Sequence, residues 1–258
     1  MSPLSSVRQV HDPIAQESPD SDGAMHLRTH FLRRLAHDIA SPTGVTLTVL
    51  EELATADRPR PELFAMARRS LKRLIRLSEH LALVAELENG TVEPELAATD
   101  LRALTKQALD DALSIDGRKD VVATCSLPGS PLVTAADPRL LLVVFREVIG
   151  NGLRLATSRV EVSVESTGKV VSIRVEDDGP GFSDDARESL GERFVRRSSQ
   201  RGLGLSLSMG IQLVRTHGGT LSIETSRLPP GRRGTRGAAV VISLPSTSND
   251  VTPAGDSA

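Results

Sequence analysis

Four short clusters in this 258-residue chain hold residue types that can do chemistry. The first is His37-Asp38-Ile39-Ala40-Ser41-Pro42. With Leu32 as the first apolar position of a heptad, His37 falls at the most outward-facing position. An imidazole there can be reached by another domain, and the adjacent Asp38 carboxylate can take the ring proton and raise its nucleophilicity. Pro42 lies inside the same apparent helix, where proline costs about 3 kcal/mol and bends the axis. Such a cost in a regular heptad marks a shaped site. His30 occupies the equivalent position one heptad earlier, but lacks the following acid and the proline. Taken alone, a His-Asp pair is an ordinary surface feature.

The second cluster is Glu147-Val148-Ile149-Gly150-Asn151-Gly152-Leu153-Arg154. On a helix, Glu147, Asn151 and Arg154 share one face, and an acid, an amide oxygen and a guanidinium in that order suit a hydrated divalent cation beside phosphate oxygens. Read alone, the same stretch is a solvated polar face. The third is Asp177-Asp178-Gly179-Pro180-Gly181-Phe182, directly after a strand pattern. A carboxylate at a strand end can accept from an amino group, and glycines let the backbone turn tightly and approach a ligand. The fourth is Arg201-Gly202-Leu203-Gly204-Leu205 at the start of a helix, whose free N–H groups attract phosphate. Just upstream, Glu192 to Arg196 supplies Arg193, Arg196 and the apolar Phe194. Asp-x-Gly-x-Gly and Gly-x-Gly are each weak signals in isolation.

The elements that must position these clusters follow from periodicity. Leu32, Leu35, Ile39, Pro42, Thr46, Val49 and Leu53 are spaced alternately by three and four, which predicts a helix with one apolar seam. Asp57, Pro59 and Pro61 interrupt it. A second helix carries Leu63, Ala67, Ser70, Leu74, Leu77, Leu81 and Val84, giving an antiparallel hairpin. Further apolar positions at Phe31, Val45, Leu50, Leu71 and Ile75 call for a second buried face, and a homodimer forming a four-helix bundle supplies it. Beyond Asp100 helices and strands mix. Leu101 to Ile115 reads as a helix, Val121 to Leu127 as a strand, and Asp137-Pro138 as a capped helix start. Val160, Val162 and Val164 alternate with polar residues, as do Val171, Ile173 and Val175, predicting a hairpin around Ser166-Thr167-Gly168. Leu203 to Thr216 is helical and stops at His217-Gly218-Gly219. Two final strands lie near Leu221 to Thr225 and Ala238 to Leu244. The expected fold class is therefore α + α/β, a dimerising helical hairpin followed by an α/β sandwich. The expected divisions are a disordered arm at 1–24, the hairpin at 25–89, a linker at 90–99, the sandwich at 100–245 and a disordered tail at 246–258.

Composition removes several function classes. The chain has 31 basic and 33 acidic residues, so no basic excess points to nucleic acid. It has no Trp, no Tyr and five Phe, too few for base-stacking platforms. The single cysteine, Cys125, excludes an internal disulfide and a zinc-finger framework. The longest apolar run, Leu140 to Phe145, falls far short of the roughly 20 residues of a membrane span. With no hydrophobic signal core at the start, the expected compartment is the cytoplasm.

The four clusters in this order resemble the boxes of bacterial two-component sensor histidine kinases, and the C-terminal half resembles the wider GHKL ATPase superfamily. His37 to Pro42 is similar to the H box, Glu147 to Arg154 to the N box, Asp177 to Gly181 to the G1 box, Leu190 to Arg196 to the F box and Gly202 to Leu205 to the G2 box. The resemblance spans about residues 25–245. It implies a GHKL (Bergerat) fold for the sandwich, with ATP and Mg²⁺ as cofactors. His37 is then the phosphoacceptor, Asp38 its base and Ser41 the residue that positions water in the reverse reaction. Asn151 is the implied Mg²⁺ ligand, beside Glu147. Asp177 is the implied reader of the adenine amino group, with Gly179 and Gly181 shaping its pocket. Arg154, Arg196, Gly202 and Gly204 are implied near the phosphates, and Phe194 at the base of a lid. Glu147 departs from the first Asn of many sensor kinases, and the lid between Arg196 and Gly202 is only Arg197 to Arg201. The implied partners are a response-regulator receiver domain, a second copy of the chain and a separate sensor or input protein, since 24 leading residues are too few for a sensor domain. The alternative is a phosphorelay transfer protein whose C-terminal domain binds no nucleotide.

Overall fold

Two long helices lead the chain in the computed structural model, which describes residues 20–55, 58, 60–184, 206–231 and 234–247. Helix α1 (Asp20–Ala54) and helix α2 (Pro61–Asn89) pack as the hairpin that the seam predicts. Pro42, Thr46 and Val49 of α1 and Ala67 and Leu83 of α2 are buried, while Leu53, Leu63, Leu74, Leu77 and Leu81 are half-buried along the seam. Toward the start of α1 the seam opens, and Leu32 and Ile39 are exposed. α1 starts at Asp20, ahead of the expected boundary at 25, and residues 1–19 lie outside the described residues. The helix runs on through Pro42. Proline has no N–H, so the Asp38 carbonyl lacks its helical partner at that turn. Thr43 and Thr46 return their hydroxyls to the carbonyls of Ile39 and Pro42 at 2.7 and 2.9 Å. Pro61 opens α2, and Gly90, at φ 66°, closes it by donating its N–H to the Glu86 and Leu87 carbonyls.

The C-terminal half begins with a strand. β1 (Ala97–Asp100) begins in the expected linker and pairs with β3 (Val133–Ala136), a strand the periodicity does not predict because it is only four residues long. Between them come α3 (Leu101–Asp116) and β2 (Val122–Ser126). α4 (Pro138–Leu155), β4 (Arg159–Ser166), β5 (Val170–Asp177), α5 (Ser206–Thr216), β6 (Thr220–Thr225) and β7 (Ala238–Pro245) follow. The main sheet has five strands in the order β2-β4-β5-β7-β6. β2 runs parallel to β4, and every other pairing is antiparallel. The β4–β5 hairpin turns at Gly168, with φ 85°.

Alternation along the strands makes one face apolar. The register aligns Val162, Val175, Val240 and Ile223 in one row and Val164, Ile173, Ile242 and Leu221 in the next. Against these rows α4 sets Leu141, Phe145, Ile149 and Leu153, all essentially without exposure. Each such side chain contributes about 1.5–3 kcal/mol of burial. Gly152 sets how closely α4 approaches the sheet. A Cβ there would lie 3.4 Å from Val175 Cγ1 and 3.5 Å from Val160 Cγ1, so any larger side chain would hold the helix off.

The start of α4 is held from two directions. The Asp137 carboxylate accepts from the N–H groups of Arg139 and Leu140, which caps the helix, and from that of Glu95. On its other side, the Asp137 N–H donates to His217 Nε2 at 3.1 Å, while His217 Nδ1 donates to the Leu213 carbonyl at 2.6 Å. This fixes the imidazole tautomer and ties the end of α5 to the start of α4. Burial works against ionisation of Asp137, but its hydrogen bonds with Arg139, Glu95 and Leu140 outweigh that and hold its carboxyl below the ordinary value. A lowered carboxyl stabilises the fold above the ordinary carboxylate range and loses that contribution as pH falls through its own value. Asp137→Ala should therefore cost about 1–2 kcal/mol in denaturant unfolding at neutral pH. The gap to the parent should narrow as acid is added.

Candidate functional site

Asp177 is the last residue of β5 and shares the face of Val175, so it lies under the helices at the strand's end. It is 5% exposed. Its Oδ1 accepts from the Gly179 N–H at 2.8 Å and the Ala238 N–H at 3.4 Å. Burial, with the neighbouring Asp178 charge adding to it, outweighs these bonds and pushes the Asp177 carboxyl up to about 6. Gly179 and Gly181 serve the protein's own chain at this corner. A Cβ on Gly179 would stand 2.4 Å from the Leu155 carbonyl oxygen, and Gly181, at φ 74°, would meet the Arg236 carbonyl at 2.6 Å. Gly237 is tighter still, its Cβ position lying 1.8 Å from the Asp177 carbonyl oxygen. The glycines thus let the end of α4 and the start of β7 close around the carboxylate.

Asp178 has the opposite character. It accepts from the N–H groups of Thr157, Ser158 and Arg159 at 2.8–3.1 Å and from the Ser158 hydroxyl at 2.6 Å. Burial opposes its ionisation, yet these donors prevail and hold it below the ordinary value. It braces the turn from α4 into β4, and its donors leave it no part in ligand chemistry.

On α4, the structure brings Glu147, Asn151 and Arg154 together. Arg154 Nη2 donates to Asn151 Oδ1 and lies 3.4 Å from Glu147 Oε1. Three residues that periodicity and motifs do not single out join them. Asp116, the last residue of α3, takes Arg154 Nη1 at 3.4 Å and Arg76 Nη1 at 2.7 Å on the same oxygen, Oδ2. His80 Nε2 lies 3.7 Å from Glu147 Oε2. Burial holds the His80 imidazole below its ordinary value, against the pull of Glu147 and with Arg76 and Arg146 adding to the fall. A signal is present in the sequence: Arg73, Arg76 and His80 are spaced by three and four, a stripe of two arginines and an imidazole beside the apolar seam.

Asn151 Oδ1 and the Glu147 carboxylate offer one amide and one acid oxygen on a single stripe. That set fits a small hard cation whose remaining positions go to water and phosphate. It also requires Arg154 to leave Asn151. Among the described residues no group of three or more His, Cys, Asp and Glu could hold a metal by itself.

His37 stands on α1, with its side chain 78% exposed. Its Nδ1 is 3.3 Å from Asp38 Oδ1. Ser41, one turn further on, is also exposed. In the hairpin, α2 packs on α3 and α5 and pairs with α4 through His80 and Glu79, while the polar neighbour of His37 is Asp38 of its own helix. Phe194, Arg196, Gly202 and Gly204, with the whole of the lid, lie outside the described residues.

Residues 136–248 match the family of histidine kinase-, DNA gyrase B-, and HSP90-like ATPases. The signal transduction histidine-protein kinase AfsQ2 of Streptomyces coelicolor is 28% identical over 92% of this chain and 45% of its own length. The swarming motility regulation sensor protein RssA of Serratia marcescens is 30% identical over 87% of this chain and 48% of its own. The chain thus spans about half the length of the curated relatives it matches. The solved structure of the Acinetobacter baumannii histidine kinase AdeS has the same fold, with a TM-score of 0.53 at 19% identity, covering 82% of this chain and 98% of that one. No helix among the described residues is long and apolar enough to cross a membrane.

The raised Asp177 carboxyl has a stability consequence. A carboxyl raised in the folded state stabilises below the ordinary carboxylate range, and that contribution is lost as pH rises through about 6. Asp177→Asn keeps an oxygen for Gly179 and Ala238 but carries no charge. The variant should gain on the parent between pH 4 and pH 7, by on the order of 2–3 kcal/mol, when the two denaturant midpoints are compared across that range.

Proposed function

We propose, for a chain that belongs to the sensor histidine kinases and has their ATPase domain in residues 136–248, that it transfers the γ-phosphoryl group of ATP to His37. From there the group passes to an aspartate of a response-regulator receiver domain. The observation that carries this reading is the buried carboxylate of Asp177 at a strand end. Both its hydrogen bonds from Gly179 and Ala238 fall on Oδ1. An adenine amino group is the neutral N–H donor that such a carboxylate would accept from without bringing another charge into the site.

In this reading Asn151, beside Glu147, would hold Mg²⁺, which when bound neutralises charge on the phosphate oxygens. Arg154 would turn from Asn151 to a phosphate, and guanidinium geometry suits either partner. Arg196, Gly202 and Gly204 would complete the phosphate contacts, with Phe194 anchoring the lid. Gly181 and Gly179 would shape the adenine end. At the acceptor, Nδ1–H directed to Asp38 leaves the lone pair on His37 Nε2. Nε2 then attacks the γ-phosphorus as the bond to the bridging oxygen breaks, ADP leaves, and Asp38 takes the Nδ1 proton. Ser41 would position the water that cleaves the receiver's acyl phosphate in the reverse sense.

The apolar stripe of Leu47, Leu50, Phe64, Leu71 and Ile75 supports a homodimer, since a second copy of the hairpin would cover it as a four-helix bundle. Use of ATP and of a receiver domain would fit a cytoplasmic position for this part of the chain.

Incubation with γ-labelled ATP tests the reading. The label should be acid-labile and alkali-stable, as a phosphoramidate is. His37→Gln should reduce it to background, and His30→Gln should leave it in place. Labelling of His37→Gln at the parent rate would end the assignment. Nucleotide affinity should also fall about fourfold from pH 7.5 to 5.5, as Asp177 protonates around 6. A flat profile in calorimetric titrations over that range would remove Asp177 from the binding site.

A further inference from the structure

The Arg73, Arg76 and His80 stripe of α2 lies on the two acids that hold Arg154, the arginines on Asp116 and His80 on Glu147. Arg76 Nη1 donates to Asp116 Oδ2 at 2.7 Å, and Arg73 Nη2 lies 3.7 Å from Oδ1. Arg154 Nη1 reaches the same Oδ2 at 3.4 Å from the side of α4. The Asp116 side chain has no exposure at all, and Arg76 is itself buried. α4 makes room for the cluster at Gly150. A Cβ there would stand 2.8 Å from Asp116 Oδ2 and 3.3 and 3.5 Å from the guanidinium nitrogens of Arg154 and Arg76. Lys72, donating to the Ser114 hydroxyl at 3.1 Å, and Arg146, 3.4 Å from Glu79, close the same contact on either side.

A carboxylate this deeply buried is costly to leave without a cation. With α2 docked, Arg76 neutralises Asp116, and Arg154 can depart without stranding the acid. Without the Arg76 guanidinium, and with α2 still covering the site, Arg154 is the main cation left on Asp116, and its departure to a phosphate strands a buried charge. Arg73 is half exposed and more distant, so it contributes little of this compensation.

We propose that Arg76 is a positioning residue that, by neutralising Asp116, releases Arg154 for nucleotide phosphate while the hairpin is docked. This rests on the nucleotide-site reading given above.

The test is calorimetric titration of the full chain with a non-hydrolysable ATP analogue and Mg²⁺. Arg76→Gln should weaken binding by about fivefold or more, and Arg76→Lys should stay near the parent. Adding Asp116→Asn to Arg76→Gln should restore affinity to that of Asp116→Asn alone, because no buried charge then holds Arg154 back. A purely structural role for Arg76 would give no such rescue. Parent-like binding by Arg76→Gln, or a double variant no tighter than Arg76→Gln, would each overturn the role. A parent chain that binds no nucleotide would overturn the site reading and this role with it.

Discussion

The close approach of α4 to the sheet is the constraint from which the rest of the C-terminal half follows. Leu141, Phe145, Ile149 and Leu153 are buried on the apolar rows of β4, β5 and β7, and Gly152 lets the helix backbone come down onto Val160 and Val175. A close-packed interior resists rolling or sliding of a helix seated this way. The outward stripe of Glu147, Asn151 and Arg154 is therefore presented at a fixed angle, and the final carbonyl, that of Leu155, arrives against Gly179 beside Asp177. One helix thus serves as core on one side and as polar framework on the other. The Asp137 cap and the His217 bond at its start keep it from fraying where that framework begins.

Two neighbouring carboxylates show how local donor supply separates structure from chemistry. Asp178 is surrounded by N–H groups and a hydroxyl, and is committed to them. Asp177, one residue earlier, receives two N–H groups on one oxygen and remains a reluctant anion. Adjacent positions at a strand end point to opposite faces, so a single step along the chain moves a carboxylate from a turn rich in donors to the underside of a helix layer.

Much of this is legible in the sequence. The seam of α1 and α2, the β4–β5 hairpin, the Asp137 start of α4 and the stop of α5 at His217-Gly218-Gly219 all rest on local periodicity or capping chemistry. The stripe on α4 is legible because three residues at helical spacing must share a face. What the sequence does not disclose depends on contacts distant along the chain. Asp116 reads as an ordinary helix end, and Arg76 as one basic residue among many on α2. Forty residues separate the pair, and only tertiary packing buries them together. Gly179 and Gly181 are legible as glycines that must be there, and the backbone carbonyls of Leu155 and Arg236 that a Cβ would meet come from segments distant in the chain. β3 escapes because a four-residue strand carries too little alternation to be seen.

Pro42 has a mechanical meaning for α1. The missing N–H removes one rung of the helix ladder, the one that would have closed on the Asp38 carbonyl. Below it, Thr46 and Val49 lock the helix into the seam, while above it Ile39 and Leu32 are exposed and the seam no longer grips. One backbone hydrogen bond fewer leaves that turn of the continuous helix softer than its neighbours, with His37 in the turn before it. Bending at that turn costs less than elsewhere along α1, and it would move the imidazole relative to the Thr46–Val49 segment held in the seam.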